Sequence, residues 1–413
     1  MKKIFFSISL ILLSVLVFAN TDNTINKLPQ KTEKTIDSLI YNGLQNQVFP
    51  GCQVVVLKEG EVIFNKCYGY QTYYQRLPIT DSTMYDMASV TKSAATTLAV
   101  MKLYDEGKIK CYDTIGKFVP YLRGTDKGQL LLIELLTHTS GMPAFIPFYK
   151  KIANDERYIS TSYSEQFSVQ IADSCYLRTD FQDSVRYKIA TCKLGQKKYV
   201  YSDLNFFLLK EMVEYITGIP LDQYLNQEFY QPMKLRHTCF NPLKCGFCKA
   251  DVAPTELDTF FRHQLVEGYV HDQTAALFDG DAGNAGLFST ASEIAIIFQM
   301  LMDGGVYDGH RYLSDQTVKF FTKTYPIHDC SRRALGFDTP CYAQYNGVIP
   351  KVASNKTFGH QGFTGTVVWC DPDEHLIYVF VSNRVYPYTE PNKLVKSQIR
   401  LTVHDAVYQG LKN

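Results

Sequence analysis

Ser89 and Lys92 lie three residues apart at the start of an apolar, helix-forming segment. On a helix, residues at this spacing share one face, with Cβ atoms about 5–6 Å apart, so the lysine amine can reach the serine hydroxyl. A serine alcohol is a weak nucleophile at neutral pH and needs a base within hydrogen-bond reach. The pair therefore indicates a nucleophile and its activator, although Ser-x-x-Lys also arises by chance with the serine as a helix N-cap.

Two later segments carry side chains that would support such a nucleophile. Tyr201 and Asp203 stand just before a predicted helix, and His360 and Gly362 lead into a predicted strand. Taken alone, Tyr201 is more often a half-buried structural tyrosine and His360 a hydrogen-bonded loop histidine. Their order behind Ser-x-x-Lys is what indicates a catalytic site.

These segments in this order resemble the three motifs of serine hydrolases of the β-lactamase and penicillin-binding-protein superfamily. Two other stretches, Leu135–Met142 and Gly286–Ala291, are similar to recurrent segments of the same family. The resemblance covers roughly residues 35–410. It is closest to the class C-like branch, which contains class C β-lactamases, D-Ala-D-Ala carboxypeptidases and family VIII-type esterases, because a tyrosine leads the second motif.

The resemblance implies a role for each motif residue. Ser89 would attack a carbonyl and form an acyl-enzyme, while Tyr201 would act as general base for acylation and deacylation. Lys92 would accept the serine proton or hold the charge that keeps Tyr201 acidic. The oxyanion hole would use the backbone N–H of Ser89 and that of Phe363, just past Gly362. His138, within the stretch Leu135–Met142, is expected to hold a turn in place.

Two positions depart from the β-lactamase pattern. Asp203 stands where β-lactamases usually have asparagine. A carboxylate accepts hydrogen bonds but cannot donate them, so Asp203 would pair with Lys92. Its negative charge would repel a nearby anion. His360 stands where a strand lysine helps to bind the substrate carboxylate. Both changes favour a carboxypeptidase or esterase over a class C-like β-lactamase. A non-catalytic wall-binding protein with the same fold is a further alternative.

The elements that must position these residues form an α+β fold. Strand-like segments lie near both ends of the chain and helical segments in the middle. We therefore expect an antiparallel sheet built from N- and C-terminal segments and flanked by helices, with an inserted, mostly helical domain. One domain would span 36–410, with a sheet lobe at about 36–110 and 290–410 and a helical lobe at about 111–289. His271 and Asp272 would lie in a loop lining the cleft between the lobes.

The N-terminus predicts export. Two lysines precede an apolar run that ends in small residues, so residues 1–19 are interpreted as a signal peptide and 20–35 as a lead-in. The mature protein would be periplasmic or secreted, without a membrane span. A net charge of +1 does not favour a nucleic-acid partner. The expected substrate is a small molecule or a peptide, peptidoglycan fragments included, and no cofactor or metal is expected.

The chain contains eleven cysteines. Cys52 and Cys67 are equally distant from a predicted turn at Glu59-Gly60, so a tight hairpin would place them opposite each other, either as a disulfide or as free buried thiols. A second cluster, His237 with Cys239, Cys245 and Cys248, could form a local disulfide or, less often at such irregular spacing, bind zinc.

Overall fold

A computed structural model describes residues 27–325, 333–340 and 348–412. The predicted signal peptide and the first part of the lead-in lie outside these ranges. Within them, no helix combines the length and the apolar character needed to cross a bilayer.

Fifteen strands are present in the described part of the chain: β1 (Gly51–Lys58), β2 (Glu61–Gly69), β3 (Tyr85–Asp86), β4 (Ile159–Ser160), β5 (Val169–Ala172), β6 (Cys175–Leu177), β7 (Cys239–Phe240), β8 (Leu257–Asp258), β9 (Gln264–Leu265), β10 (Leu287–Ser289), β11 (Val306–Tyr307), β12 (His310–Arg311), β13 (Phe358–Gln361), β14 (Val367–Asp371) and β15 (Leu376–Ser382). The largest sheet has the order β13-β14-β15-β1-β2. Its neighbouring strands are all antiparallel, with β1 from the N-terminal part paired to β15 from the C-terminal part. The expected sheet is thereby observed.

The α-helices are α1 (Gln30–Gln45), α2 (Thr97–Asp105), α3 (Leu132–Leu136), α4 (Phe181–Thr191), α5 (Leu204–Thr217), α6 (Leu221–Leu225), α7 (Gln273–Ala276), α8 (Ala291–Met302), α9 (Asp315–Thr322), α10 (Lys393–Ser397) and α11 (Ile399–Leu411). A π-helical turn, Lys92–Thr96, leads directly into α2.

The large sheet is covered on both faces. Successive residues of a strand point to opposite faces, so Val54 packs with α1 and α11 while Val55 packs towards α8. Most of the strand residues are therefore buried, and β15 is buried along its whole length. The middle of the chain packs differently, with α2 lying among α5, α6 and α9. The helical turn after Ser89, Lys92–Thr96, contacts both α5 and α8, and so lies between the helical region and the helix that covers the sheet.

The apolar pattern of the sequence predicts a first helix over 36–46 and a single final helix over about 392–411, and the structure differs at both. The first helix begins at Gln30 instead of Ile36, and the exposed turn that this adds is held by tertiary ion pairs of Lys66 with Glu33 and Asp37. The last segment is two helices, because Gln398 adopts a left-handed conformation with φ of 52°. An apolar pattern alone does not reveal either feature.

The expected pairing of Cys52 with Cys67 is wrong. A bulge between Val56 and Leu57 shifts the register by one residue, so Cys52 pairs with Tyr68. Because neighbouring residues of a strand face opposite sides, the two thiols lie on opposite faces of the sheet. Both cysteines are free.

We expect no Cys52–Cys67 disulfide in the folded protein, even after mild oxidation with diamide. Cys239 and Cys245 provide the matched control, because their thiols hydrogen-bond to each other. Alkylation followed by peptide mapping under non-reducing conditions should recover the control pair cross-linked and Cys52 and Cys67 as separate peptides. A peptide joining Cys52 to Cys67 would contradict the observed register.

Candidate active site

Ser89 lies where β3 turns into the helical segment. The residue before it, Ala88, has φ of 45°, a conformation that L-residues rarely adopt. This turn is held because the Ala88 N–H donates to Oδ1 of buried Asp86 at 2.7 Å. The Ser89 side chain is half-buried and lines a cavity of about 330 Å³.

Lys92 is fully buried, and its Nζ is held by three parts of the chain. It donates to Ser89 Oγ at 3.1 Å and to the Asn284 carbonyl at 3.0 Å, and lies 2.7 Å from Asp203 Oδ1. The expected pairing of Lys92 with Asp203 is confirmed. Burial lowers the pKa of Lys92, but the charges of Asp203 and Tyr201 raise it above its usual value. Lys92 is therefore an ammonium in the resting site and a donor to Ser89.

Tyr201 lies against Lys92, with Nζ 4.9 Å from the centre of its ring. The His138 ring is 4.5 Å from the Tyr201 ring, and His138 Nδ1 accepts a hydrogen bond from the Ser202 N–H at 3.0 Å. His138 thus holds the turn that presents Tyr201, as expected. Burial raises the pKa of Tyr201, Lys92 and Arg333 lower it, and Asp203 raises it, with a net shift upward.

The segment after β13 lies against the backbone that precedes Ser89. A Cβ at Gly362 would come 2.5 Å from the Met87 carbonyl oxygen, so only glycine permits this approach. Thr364 and Thr366 fix it by donating to the carbonyls of Asp86 and Met87 at 2.7 and 3.1 Å.

This approach brings the two predicted oxyanion donors to the same cavity. Ser89 and Phe363 both line it, and neither backbone N–H hydrogen-bonds to an acceptor within the described residues. Two free N–H groups at one site suit the charge that develops on a carbonyl oxygen during acyl transfer.

His360 is on the edge strand, but it does not provide a positive charge. Its side chain is 2% exposed, and Nδ1 bonds with the Gln361 carbonyl at 2.8 Å. Burial lowers the pKa of His360 to about 4. The histidine is therefore neutral at pH 7, and its ring lies 6.2 Å from that of Tyr201.

Three arginines that the sequence analysis missed also line the cavity: Arg333, Arg384 and Arg400. They come from separate segments without a motif, so nothing in the local sequence marks them. Arg384 follows β15 closely and stacks on Phe363, with its guanidinium carbon 4.4 Å from the ring centre. The cavity is thus more basic than its motif residues indicate.

The predicted cleft loop contacts Phe363, which lines this cavity. His271 Nε2 lies 2.9 Å from Glu256 Oε2, and its ring stacks on Phe363 at 5.6 Å. Asp272 caps α7 by accepting from the Ala275 N–H at 2.6 Å. His271 and Asp272 therefore bond to different partners and do not act on each other as a catalytic pair.

The four residues of the second cysteine cluster do not converge on one point. The Cys239 and Cys245 thiols are in contact, whereas Cys248 Sγ bonds with Asp251 at 3.0 Å and the His237 N–H donates to Glu293. In the described ranges, no three His, Cys, Asp or Glu side chains are arranged to hold a metal ion.

Comparison with known proteins identifies related sequences along most of the chain. The profile of the family described as Beta-lactamase matches residues 36–399. Proteins named "Putative D-alanyl-D-alanine carboxypeptidase" from Salmonella agona (strain SL483) and Salmonella heidelberg (strain SL476) are 31% and 30% identical. Each alignment covers 89% of this chain and 89% of the relative.

Solved structures share the fold at lower identity. EstCE1, a hydrolase with promiscuous acyltransferase activity, superposes with a TM-score of 0.66 at 20% identity over 92% of this chain and 99% of its own. D-alanine carboxypeptidase AmpC from Burkholderia cenocepacia gives 0.65 at 17% identity over 90% and 98%. A class C beta lactamase gives 0.64 at 17% over 90% and 97%. The expected fold class is confirmed.

Buried neutral His360 should make the protein sensitive to acid. Because its folded pKa lies below that of an unfolded histidine, the unfolded chain binds the proton first, and stability is lost as the pH falls below about 6.5. The free energy of unfolding, measured with urea, should fall between pH 7 and pH 5 by about 2 kcal/mol less in His360→Gln than in the wild type. His310→Gln, at an exposed position, is the control. Equal pH dependence in all three proteins would contradict a neutral His360.

Proposed function

The chain belongs to the Beta-lactamase family of serine hydrolases, and from that premise we propose that it is an exported carboxypeptidase that forms an acyl-enzyme on Ser89. The proposed substrates are D-amino-acid peptides of the cell wall that end in a free carboxylate. Ser89 is the nucleophile, Lys92 and Tyr201 activate it, and Asp203, His360, Gly362 and Phe363 support the site. Export rests on the signal peptide predicted in residues 1–19.

The observation that carries the substrate proposal is the pair of guanidinium groups in the Ser89 cavity, of which Arg384 is compensated only at longer range, by Glu390 and Glu256. In the described residues, neither Arg384 nor Arg400 forms an ion pair. Their hydrogen bonds go to neutral acceptors: Arg384 Nε to the Phe363 carbonyl at 2.8 Å, and Arg400 Nη1 to the Thr366 carbonyl at 2.9 Å. Burial lowers the pKa of Arg400 to about 10, and the charge of Arg384 contributes. A substrate carboxylate would relieve this unfavourable charge.

The geometry supports a two-step acyl transfer. Ser89 Oγ attacks the carbonyl carbon of the terminal peptide bond, and its proton passes to the Tyr201 phenolate, the form in which the Tyr201–Lys92 pair acts as base. The N–H groups of Ser89 and Phe363 receive the oxyanion, each contributing about 3–4 kcal/mol to the barrier reduction. The pair returns the proton to the leaving amine as the C–N bond breaks. Tyr201 then takes a proton from water as the water attacks the Ser89 ester, and passes it to Ser89 Oγ as the ester bond breaks.

Hydrolysis of small neutral esters is the second candidate activity. It is favoured by the neutral state of His360, which leaves the strand edge without a charge for a carboxylate. The ring of Phe363 is 53% exposed at the cavity and could take an apolar acyl group. β-Lactamase activity differs from the proposed function only in how fast the acyl-enzyme is hydrolysed.

Ser89→Ala should abolish turnover with little change in the melting curve, because the half-buried hydroxyl is replaced by a smaller group at a solvent-lined position. Intact mass after incubation with a penicillin tests the nucleophile directly. A persistent adduct on the wild type and its absence from the variant would support a slowly deacylating peptidase. Retained turnover in the variant would refute the nucleophile. Rapid hydrolysis of penicillin or nitrocefin would favour the β-lactamase, and an unmodified protein with intact penicillin would favour the esterase.

Arg400→Gln should lower kcat/KM by about tenfold or more for a peptide ending in a free D-alanine carboxylate, because a charge-assisted hydrogen bond to a carboxylate contributes about 1.5–3 kcal/mol. The same peptide as its C-terminal amide should be little affected. Lys396→Gln removes a positive charge from the exposed side of α10 and serves as the matched control. Equal losses on both peptides would show that Arg400 does not bind the carboxylate.

A further inference from the structure

Arg333 is a buried guanidinium in contact with the proposed base. Its side chain is 1% exposed, and its guanidinium carbon lies 5.0 Å from the centre of the Tyr201 ring. Nε and Nη2 both donate to the Tyr199 hydroxyl, at 3.1 and 3.0 Å, and Nη1 lies 2.8 Å from Asp338 Oδ1. Arg333 is therefore fixed in orientation against the ring of Tyr201.

Backbone hydrogen bonds fix the position of Arg333 relative to the site. The turn from Arg333 to Asp338 closes on itself and then pairs with the edge of β13. Asp338 N–H donates to the Gly359 carbonyl at 2.7 Å, and Gly359 N–H donates back at 3.0 Å. Gly359 directly precedes His360, so the same strand edge that carries the third motif also fixes the position of Arg333.

Lys92 by itself does not provide a net positive charge that would stabilise the Tyr201 phenolate. The charge of Lys92 is already matched by Asp203, which itself opposes ionisation of the phenol. His360 contributes no charge at neutral pH. The remaining positive group that contacts Tyr201 within the described residues is Arg333, and a guanidinium over an aromatic ring is attracted to it electrostatically.

We propose that Arg333 is a positioning residue that stabilises the deprotonated form of Tyr201 and so sets the pH range in which the enzyme works. The role rests on the proposed function, because it requires Tyr201 to act as the base. Tyr199 keeps the guanidinium in place, and Asp338 balances part of its charge.

A contribution to stability alone does not account for the buried Arg333–Asp338 ion pair. A buried pair is often no better for stability than well-packed apolar residues, because both charges lose their hydration. Arg333 and Asp338 also line the cavity with Ser89 and Tyr201, and so belong to the reaction space and not to the apolar core. The charges facing Tyr201 come from Lys92, Asp203 and Arg333, while the adjacent His138 ring is kept neutral because burial lowers its pKa.

The test is the pH profile of kcat/KM for the peptide ending in D-alanine, measured on the full-length enzyme. Arg333→Gln should move the acid limb upward by about one pH unit, which is a tenfold loss on the acid side of the limb, with recovery at higher pH. Arg333→Lys keeps the charge and should restore most of the wild-type profile. Lys356→Gln removes an exposed lysine paired with Asp373 and should leave the profile unchanged.

Three outcomes would overturn the role. These are an acid limb that does not move, a loss that is equal at every pH, and a loss confined to KM for the free-carboxylate peptide, which would make Arg333 a substrate ligand. If Arg333→Gln does not fold, Tyr199→Phe carries the test, because it removes only the hydroxyl that holds the guanidinium. Tyr199→Phe should shift the limb in the same direction by a smaller amount, and an unshifted limb refutes the proposal.

The underlying function is tested separately with Ser89→Ala and Tyr201→Phe. If either variant keeps wild-type turnover, the proposed mechanism fails whatever Arg333 does. If both lose turnover and the Arg333→Gln profile does not move, only the role of Arg333 fails.

Discussion

The structure of the site depends on one buried ammonium group. Lys92 has no contact with solvent, so the cost of burying its charge must be offset by acceptors within hydrogen-bond distance. Those acceptors come from three separate places in the chain: Ser89 one turn earlier, Asp203 at the start of α5, and the Asn284 carbonyl before β10. Folding the lysine into the interior therefore brings together the first motif, the second motif and the segment that precedes β10.

The same burial determines which groups around Tyr201 carry charge. His360 is buried, bonds with no carboxylate in the described part of the chain and is neutral, whereas Lys92 keeps its proton because Asp203 lies beside it. Positive charge in the cavity comes from arginines, which stay protonated even when buried because their pKa is so high. This distribution suits a substrate with a carboxylate better than it suits a neutral one, which is the basis of the proposed carboxypeptidase activity.

Some features could be predicted from local sequence, and others could not. The hairpin of β1 and β2 follows from a β-branched run and a turn, but its register does not, because a one-residue bulge moved Cys67 to the other face from Cys52. The contribution of His138 to the turn before Tyr201 was predictable from the motif pattern. The three cavity arginines were not, because each belongs to a segment with no distinguishing spacing.

The sequence by itself determined the order of the motifs, the α+β architecture and the candidate pair Ser89 and Lys92, because spacing along a helix and alternation along a strand are local properties. The resemblance to the family added Tyr201 as a candidate. The tertiary structure decided the charge of His360 and the contact of Arg333 with Tyr201. These depend on burial and on distances between segments far apart in the chain, and electrostatic energies follow distance in space and not distance along the sequence.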